Sequence, residues 1–175
     1  MIVLSTPRLV LRRIERSDLD FLLEMRSDPE VMRFFPKTES QEEVEAYLQR
    51  TLGRYEQFGH AHWLVADRGT GEPRGTIGVI TQPVEGREII EVGYLIHRPY
   101  WRQGLAFEAA SACRDWAFEH LDIERVHSLI RPINLPSQAV ARKMGMTPAP
   151  ENVMFHSVEH HLFGITREDW ERVRT

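Results

Sequence analysis

Two periods of apolar residues alternate along this chain, and the places where one gives way to the other predict its elements. Leu9-Val-Leu-Arg-Arg13 reads as a first strand. Leu19, Leu22, Leu23 and Met25 then recur at helical spacing behind Ser17 and Asp20, which mark a helix start. Ser27-Asp28-Pro29 stops that helix, and 31–35 forms a turn or short helix before Pro36. Ser40 with Glu43 opens the longest early helix, which carries Val44, Tyr47, Leu48, Leu52 and Tyr55 along one side. A meander of strands follows over 62–67, 75–84 and 89–96, with turns at 69–73 and 85–87. A helix over 107–120, a strand over 125–130 and a short helix over 138–144, stopped by Gly145, come next. Two strands over 153–158 and 159–166 and a closing helix over 167–173 complete the chain. The sum is an α+β layout of roughly seven strands and four or five helices around a single mixed, largely antiparallel sheet. Without a linker, repeat or low-complexity stretch, 1–175 reads as one domain.

The most informative junction is Glu91-Val-Gly-Tyr-Leu-Ile-His-Arg-Pro-Tyr-Trp101-Arg-Gln-Gly104-Leu-Ala106, where an apolar strand runs through small residues into a long helix. Such a turn aims unpaired N–H groups and the positive helix end at one point, which suits a phosphate. Any strand-to-helix turn favours small residues, so this signal needs company. It comes from Arg125-Val-His-Ser-Leu-Ile130, followed by Arg131-Pro-Ile-Asn134-Leu-Pro-Ser137 and a second helix. Other phosphate loops fit worse: no Gly-Lys-Ser/Thr occurs, and Gly104-x-Ala106-x-x-Ala109 with Glu124 is a poor dinucleotide fingerprint.

Taken in order, Thr6-Pro-Arg-Leu-Val-Leu-Arg12, Ser27-Asp-Pro-Glu-Val-Met32, Gly75-Thr-Ile-Gly78, Glu91-Val-Gly-Tyr94, Pro99-Tyr-Trp-Arg-Gln-Gly-Leu-Ala-Phe-Glu-Ala109, Asn134-Leu-Pro-Ser137 and Arg142-Lys-Met-Gly-Met146 span nearly the whole sequence. In these pieces the chain resembles the GNAT superfamily of N-acetyltransferases, most closely the branch that acetylates the N-termini of ribosomal proteins. The resemblance implies a sheet splayed between its fourth and fifth strands to admit acetyl-CoA, with no metal. It implies that N–H groups of Arg102, Gln103, Gly104, Leu105, Ala106 and Phe107 bind the pyrophosphate. Backbone groups of Leu95 and Ile96 would pair with the pantetheine arm like an added strand, Asn134 would hold that arm, and Ile96 would donate to the oxyanion. Glu91 is the candidate general base, against a reading in which it faces a cross-strand partner at the surface; Glu88, which borders a turn, is second. Many relatives carry a Tyr where this chain has Ala141, so the usual acid on the departing thiol is missing. Ser137 is the candidate hydrogen-bond donor to the sulfur, or else an ordinary helix cap. The implied activity is direct acetyl transfer to a primary amine, foremost a protein N-terminal α-amine. The alternatives are a small-molecule amine such as an aminoglycoside or polyamine, or a non-catalytic module that binds acyl-CoA.

Composition narrows this further. The 175 residues, 42% hydrophobic, suit one core, and 22 basic against 26 acidic residues give −4, no broad cationic surface for nucleic acid. The lone Cys113 excludes an internal disulfide and sits within a helical pattern as core filler. No stretch reaches the roughly 20 apolar residues of a membrane crossing, and the N-terminus lacks a signal-peptide pattern, so the expectation is a soluble, cytoplasmic protein. Homodimers are common among the relatives that the resemblance points to. His60, His62, His156, His160 and His161 match no zinc spacing, and Trp63, Trp116 and Trp170 suit packing.

Overall fold

A computed structural model describes residues 1–174. Nine strands join in one sheet, in the order β1-β2-β3-β4-β5-β6-β9-β7, with β8 paired to β9. The strands are β1 (Ile2–Ser5), β2 (Leu9–Arg13), β3 (His62–Asp67), β4 (Pro73–Val84), β5 (Arg87–Ile96), β6 (Arg125–Ile130), β7 (Thr147–Pro148), β8 (Val153–Phe155) and β9 (Val158–Thr166). The helices are α1 (Leu19–Ser27), α2 (Gln41–Phe58), α3 (Leu105–His120), α4 (Leu135–Lys143) and α5 (Arg167–Arg174). The mixed α+β layout is as expected, and β1 and β7 are additions to it. Both are short edge pieces with too few residues to show a period.

Element boundaries moved where local capping outweighed periodicity. Asp18, rather than Ser17, organises the entry to α1: its carboxylate accepts from the Glu15 N–H at 2.8 Å and takes a two-pronged Arg12 contact at 2.6 and 2.8 Å. Ser40 and Glu43 form the expected capping box on α2. Helix α4 begins three residues earlier than predicted, because the Asn134 side chain accepts from the Ser137 N–H at 3.1 Å and Pro136 is harmless in a first turn. Ser137 is therefore inside the helix and does not cap it.

The sheet separates two layers of helices. Against one face lie α1 and α2, whose Leu22, Met25, Val44, Tyr47 and Leu48 pack on Leu64. Against the other lies α3, whose Ala109, Ala110, Cys113 and Ala117 meet Trp63, Val65, Ile77, Val79 and Val92. That stripe of small side chains lets the helix axis approach the strands closely. At the far end of α3, Arg167 donates to the carbonyls of Phe118, Leu121 and Ile123 at 3.0–3.1 Å, groups a helix end otherwise leaves unpaired.

Strands β5 and β6 share a single parallel bridge, Glu91 with His127, and then diverge. This is the expected splay between the fourth and fifth predicted strands. Two side chains take over where the ladder stops. The Ser128 hydroxyl donates to the Val92 carbonyl at 2.8 Å, and the Leu129 N–H lies close enough to the Glu91 carboxylate to favour its ionised form.

Near this fork His62 lies on Gly93, where even a methyl group would come within 2.9 Å of its Nε2, and beside the Tyr47 ring. Burial, then the charges of Arg26 and Arg54, push its imidazolium pKa down to about 3. The unfolded chain therefore binds the His62 proton first as pH falls below the ordinary histidine value of ~6.5, and stability drops between there and about 3. Urea midpoints measured from pH 7 to pH 4.5 are expected to fall less steeply in His62→Gln than in the wild-type protein. Parallel slopes would refute this.

Candidate functional site

The turn before α3 is shaped by two residues in the left-handed region, Arg102 at φ 60° and Gly104 at φ 77°. The first helical bond runs from the Glu108 N–H to the Gly104 carbonyl at 3.1 Å, so the amides of Leu105, Ala106 and Phe107 precede the ladder. These groups and the positive helix end form an anion cradle. An added Cβ on Gly104 would approach nothing closer than Arg8 Nη2 at 3.6 Å, so the glycine answers the backbone angle rather than crowding.

What fixes the cradle in place comes from the start of the chain. Glu108 receives the Thr6 hydroxyl at 2.6 Å, the Arg8 N–H at 3.0 Å and Arg8 Nε at 2.6 Å, while Arg8 Nη1 donates to the Gln103 carbonyl at 2.8 Å. Although partial burial opposes it, this set of donors holds the Glu108 carboxyl below its ordinary range. Glu108 and Arg8 were not singled out as functional in the sequence. The available signal was an acidic residue in the first turn of α3, where a helix favours negative charge.

A cavity of about 700 Å³ runs from this cradle through the gap between β5 and β6 to the far side of the sheet. Arg102, Gly104, Leu105, Ala106, Phe107, Asn134 and Ser137 line its cradle half, and Gln103 lies outside it. In the gap, strand alternation corrects one expectation. The His97 N–H bonds the Arg74 carbonyl at 2.8 Å, so Leu95, two residues back and opposite Thr76, also turns its main chain towards β4. The even-numbered residues face the gap: the Val92 carbonyl meets Ser128, and the Ile96 carbonyl accepts the Trp101 indole N–H at 2.7 Å. Tyr94 and Ile96 thus present main-chain groups to the cavity, and Leu95 contributes only its side chain.

Across the gap the Tyr94 hydroxyl donates to the Ser137 carbonyl at 2.7 Å and ties β5 to α4. Asn134 spends its side-chain oxygen on capping, while among the described residues the Ser137 hydroxyl has no protein partner. Ala141, on the buried face of α4, is fully covered and does not line the cavity. Cys113 is likewise fully buried, and burial pushes its thiol well above the ordinary range.

At the fork, Glu91 is 9% exposed yet lines the cavity. It is no surface residue. Burial raises its carboxyl pKa, while hydrogen bonds from Gln82 and the Leu129 N–H and the charge of Arg54 pull the other way without cancelling that rise. Beyond Glu91 the cavity is walled by Val31, Phe34, Phe35, Leu129 and Phe155, with His160 at its edge. The histidines do not assemble: among the described residues no three His, Cys, Asp or Glu side chains gather as a metal site. Among the described residues no helix is long and apolar enough to cross a membrane.

Known proteins share this fold. The family described as the acetyltransferase (GNAT) domain matches residues 8–147. YkkB of Bacillus subtilis (strain 168) is 32% identical over 144 residues, covering 82% of this chain and 84% of its own. The acetyltransferase from Agrobacterium tumefaciens str. C58 superposes with a TM-score of 0.83 at 28% identity, over 94% of each chain. RimL, a ribosomal L7/L12 α-N-protein acetyltransferase solved in complex with coenzyme A, shares the fold at a TM-score of 0.74 and 20% identity, over 95% of this chain and 98% of its own. The anion cradle, the forked sheet and a family match across most of the sequence agree: this chain belongs to the GNAT acetyltransferases.

Proposed function

We propose that the protein transfers an acetyl group from acetyl-CoA to a primary amine by direct attack, with Glu91 as the general base. The observation that carries this reading is a buried carboxylate at the fork, between an anion cradle and an apolar pocket. The amides of Arg102 and 104–107 hold the diphosphate, and the main-chain groups of Tyr94 and the Ile96 N–H serve the thioester arm. The Ile96 N–H is the proposed donor to the developing oxyanion.

The amine nitrogen attacks the thioester carbon and its proton passes to Glu91, directly or through one water. The C–S bond then breaks with its electron pair on sulfur. A thiol pKa near ~8.5 makes thiolate an adequate leaving group, and the free Ser137 hydroxyl donates a hydrogen bond to it. The proton on Glu91 returns to solvent or to the thiolate. Cys113 takes no part, because it lies in the core away from the cavity.

For the acceptor, a protein N-terminal α-amine fits best. Its pKa near ~8 leaves far more neutral nucleophile at pH 7 than a lysine near ~10.4. Glu30 and Glu91 are the only carboxylates lining the cavity among the described residues, too few to grip an aminoglycoside or polyamine. The apolar wall instead accommodates the side chain of a first residue. At 20% identity RimL shares the fold alone, so its acceptor carries no weight in this choice.

Thiol release from acetyl-CoA in the presence of peptides with free N-termini, with spermidine and an aminoglycoside as counter-tests, checks the acceptor. Binding of coenzyme A without turnover on any of them would leave a binding module instead. With an active acceptor, Glu91→Gln is expected to lower kcat about 10²- to 10⁴-fold with little change in KM for acetyl-CoA. Because the raised Glu91 carboxyl must be ionised to work, the acid limb of kcat/KM is expected above the ordinary glutamate range. Glu108→Gln, which weakens the clamp behind the cradle, is expected to raise the Kd for coenzyme A roughly 10-fold by calorimetry, about 1.4 kcal/mol. An unchanged Kd would separate Glu108 from cofactor binding.

A further inference from the structure

Gln82 stands two residues along β4 from Ile80, the register partner of Glu91, so the two polar side chains are diagonal neighbours on one face of the sheet. The Gln82 side chain lies close enough to Glu91 to help lower its carboxyl pKa, and its Oε1 accepts from Arg54 Nη2 on α2 at 3.3 Å. An amide has one accepting and one donating end. With its oxygen committed to a guanidinium, only the NH₂ end is left to face Glu91. We propose that Gln82 and Arg54 are positioning residues for acetyl transfer, a two-member relay that fixes the rotamer of the Glu91 carboxylate and sustains its negative charge inside the sheet. The proposal rests on the reading of Glu91 as the base.

The need for such a relay follows from what surrounds Glu91. Its neighbours on other elements supply no competing cation at neutral pH. His62 on β3 is neutral, with a pKa of about 3, and His127, the β6 register partner, has one of about 4. His160 at the cavity edge is also lowered by burial. Tyr94, on β5 itself, is pushed upward by burial and by Glu91, so it stays protonated. Arg26 is committed to Glu39 through contacts of 2.6 and 2.8 Å. Arg54 forms no ion pair of its own among the described residues, and its charge acts on Glu91. The Leu129 N–H on β6 acts on Glu91 in the same direction. A carboxylate has lone pairs for about four donors, which leaves room for the incoming amine beside these neighbours.

The test titrates Glu91 directly, in protein labelled with ¹³C at the glutamate side-chain carboxyl. The resonance missing from Glu91→Gln identifies the group, and its midpoint is read in the wild-type protein, Gln82→Met and Arg54→Met. Removing the donor or the cation disfavours the ionised form, so the midpoint is expected to rise by about one pH unit in Gln82→Met and roughly half a unit in Arg54→Met. Arg54→Lys is expected to lie closer to the wild-type value than Arg54→Met, since the charge survives. With an alanine-initiated peptide as acceptor, the acid limb of kcat/KM is expected to move by the same amounts while KM for acetyl-CoA stays constant. Midpoints unmoved in both methionine variants, with wild-type coenzyme A affinity showing that they are folded, would overturn the relay. Should Gln82→Met fail to fold, the half-buried Arg54 series carries the test alone. Full turnover by Glu91→Gln would instead defeat the base assignment, an outcome distinguishable because the titration is read without catalysis.

Discussion

Two neighbouring strands that stop sharing hydrogen bonds create a problem for the main chain, and the solution to it organises this molecule. After the bridge between Glu91 and His127, the next carbonyl on one strand and the next N–H on the other have no ladder to join. Left buried and unpaired they would cost about 1–3 kcal/mol each, a sizeable share of a stability of about 5–15 kcal/mol. Ser128 answers the carbonyl with its hydroxyl, and the Glu91 carboxylate sits beside the Leu129 N–H. The fork is therefore a designed feature of the sequence, and the carboxylate proposed to take a proton is also a structural plug.

The anion cradle rests on a second, more distant arrangement. Its amides belong to residues close together in sequence, but their aim is set by Glu108, which is clasped by Thr6 and Arg8 about 100 residues away. One carboxylate thereby complements the positive end of α3 and locks the turn ahead of it through the Gln103 carbonyl. Small residues alone make a turn that admits a phosphate. It is the clasp that makes the turn rigid.

The parts of this design that were legible in the sequence are those encoded by neighbours along the chain. The Ser40 and Glu43 box, the meander of three strands, the Gly104 turn and the order of motifs all follow local rules, and each sits where expected. Glu91 was readable as a candidate because the family that the motifs resemble often places its general base on this strand. The role first given to Leu95 failed because hydrogen-bonding direction depends on which residues of β4 it meets, and register is set by tertiary packing. Asn134, rather than Ser137, caps α4, and this was missed because a proline at the second helical position looks like a stop until the cap before it is recognised. Gln82, Arg54 and the Glu108 clasp were invisible for a common reason: each acts across strands or between distant segments, and no periodicity records that.

Arg167 has a mechanical consequence. It immediately follows β9, the strand that brings His160 to the cavity edge, and its guanidinium grips the last turn of α3, whose first turn forms the cradle. The end of the strand and the end of the helix are thereby fastened to each other on the side away from the cradle. The opposite bank of the cavity is the stretch between α1 and α2 that carries Phe34 and Phe35. That bank is moored by Arg98 to Asp28 at one end and by Arg26 to Glu39 at the other.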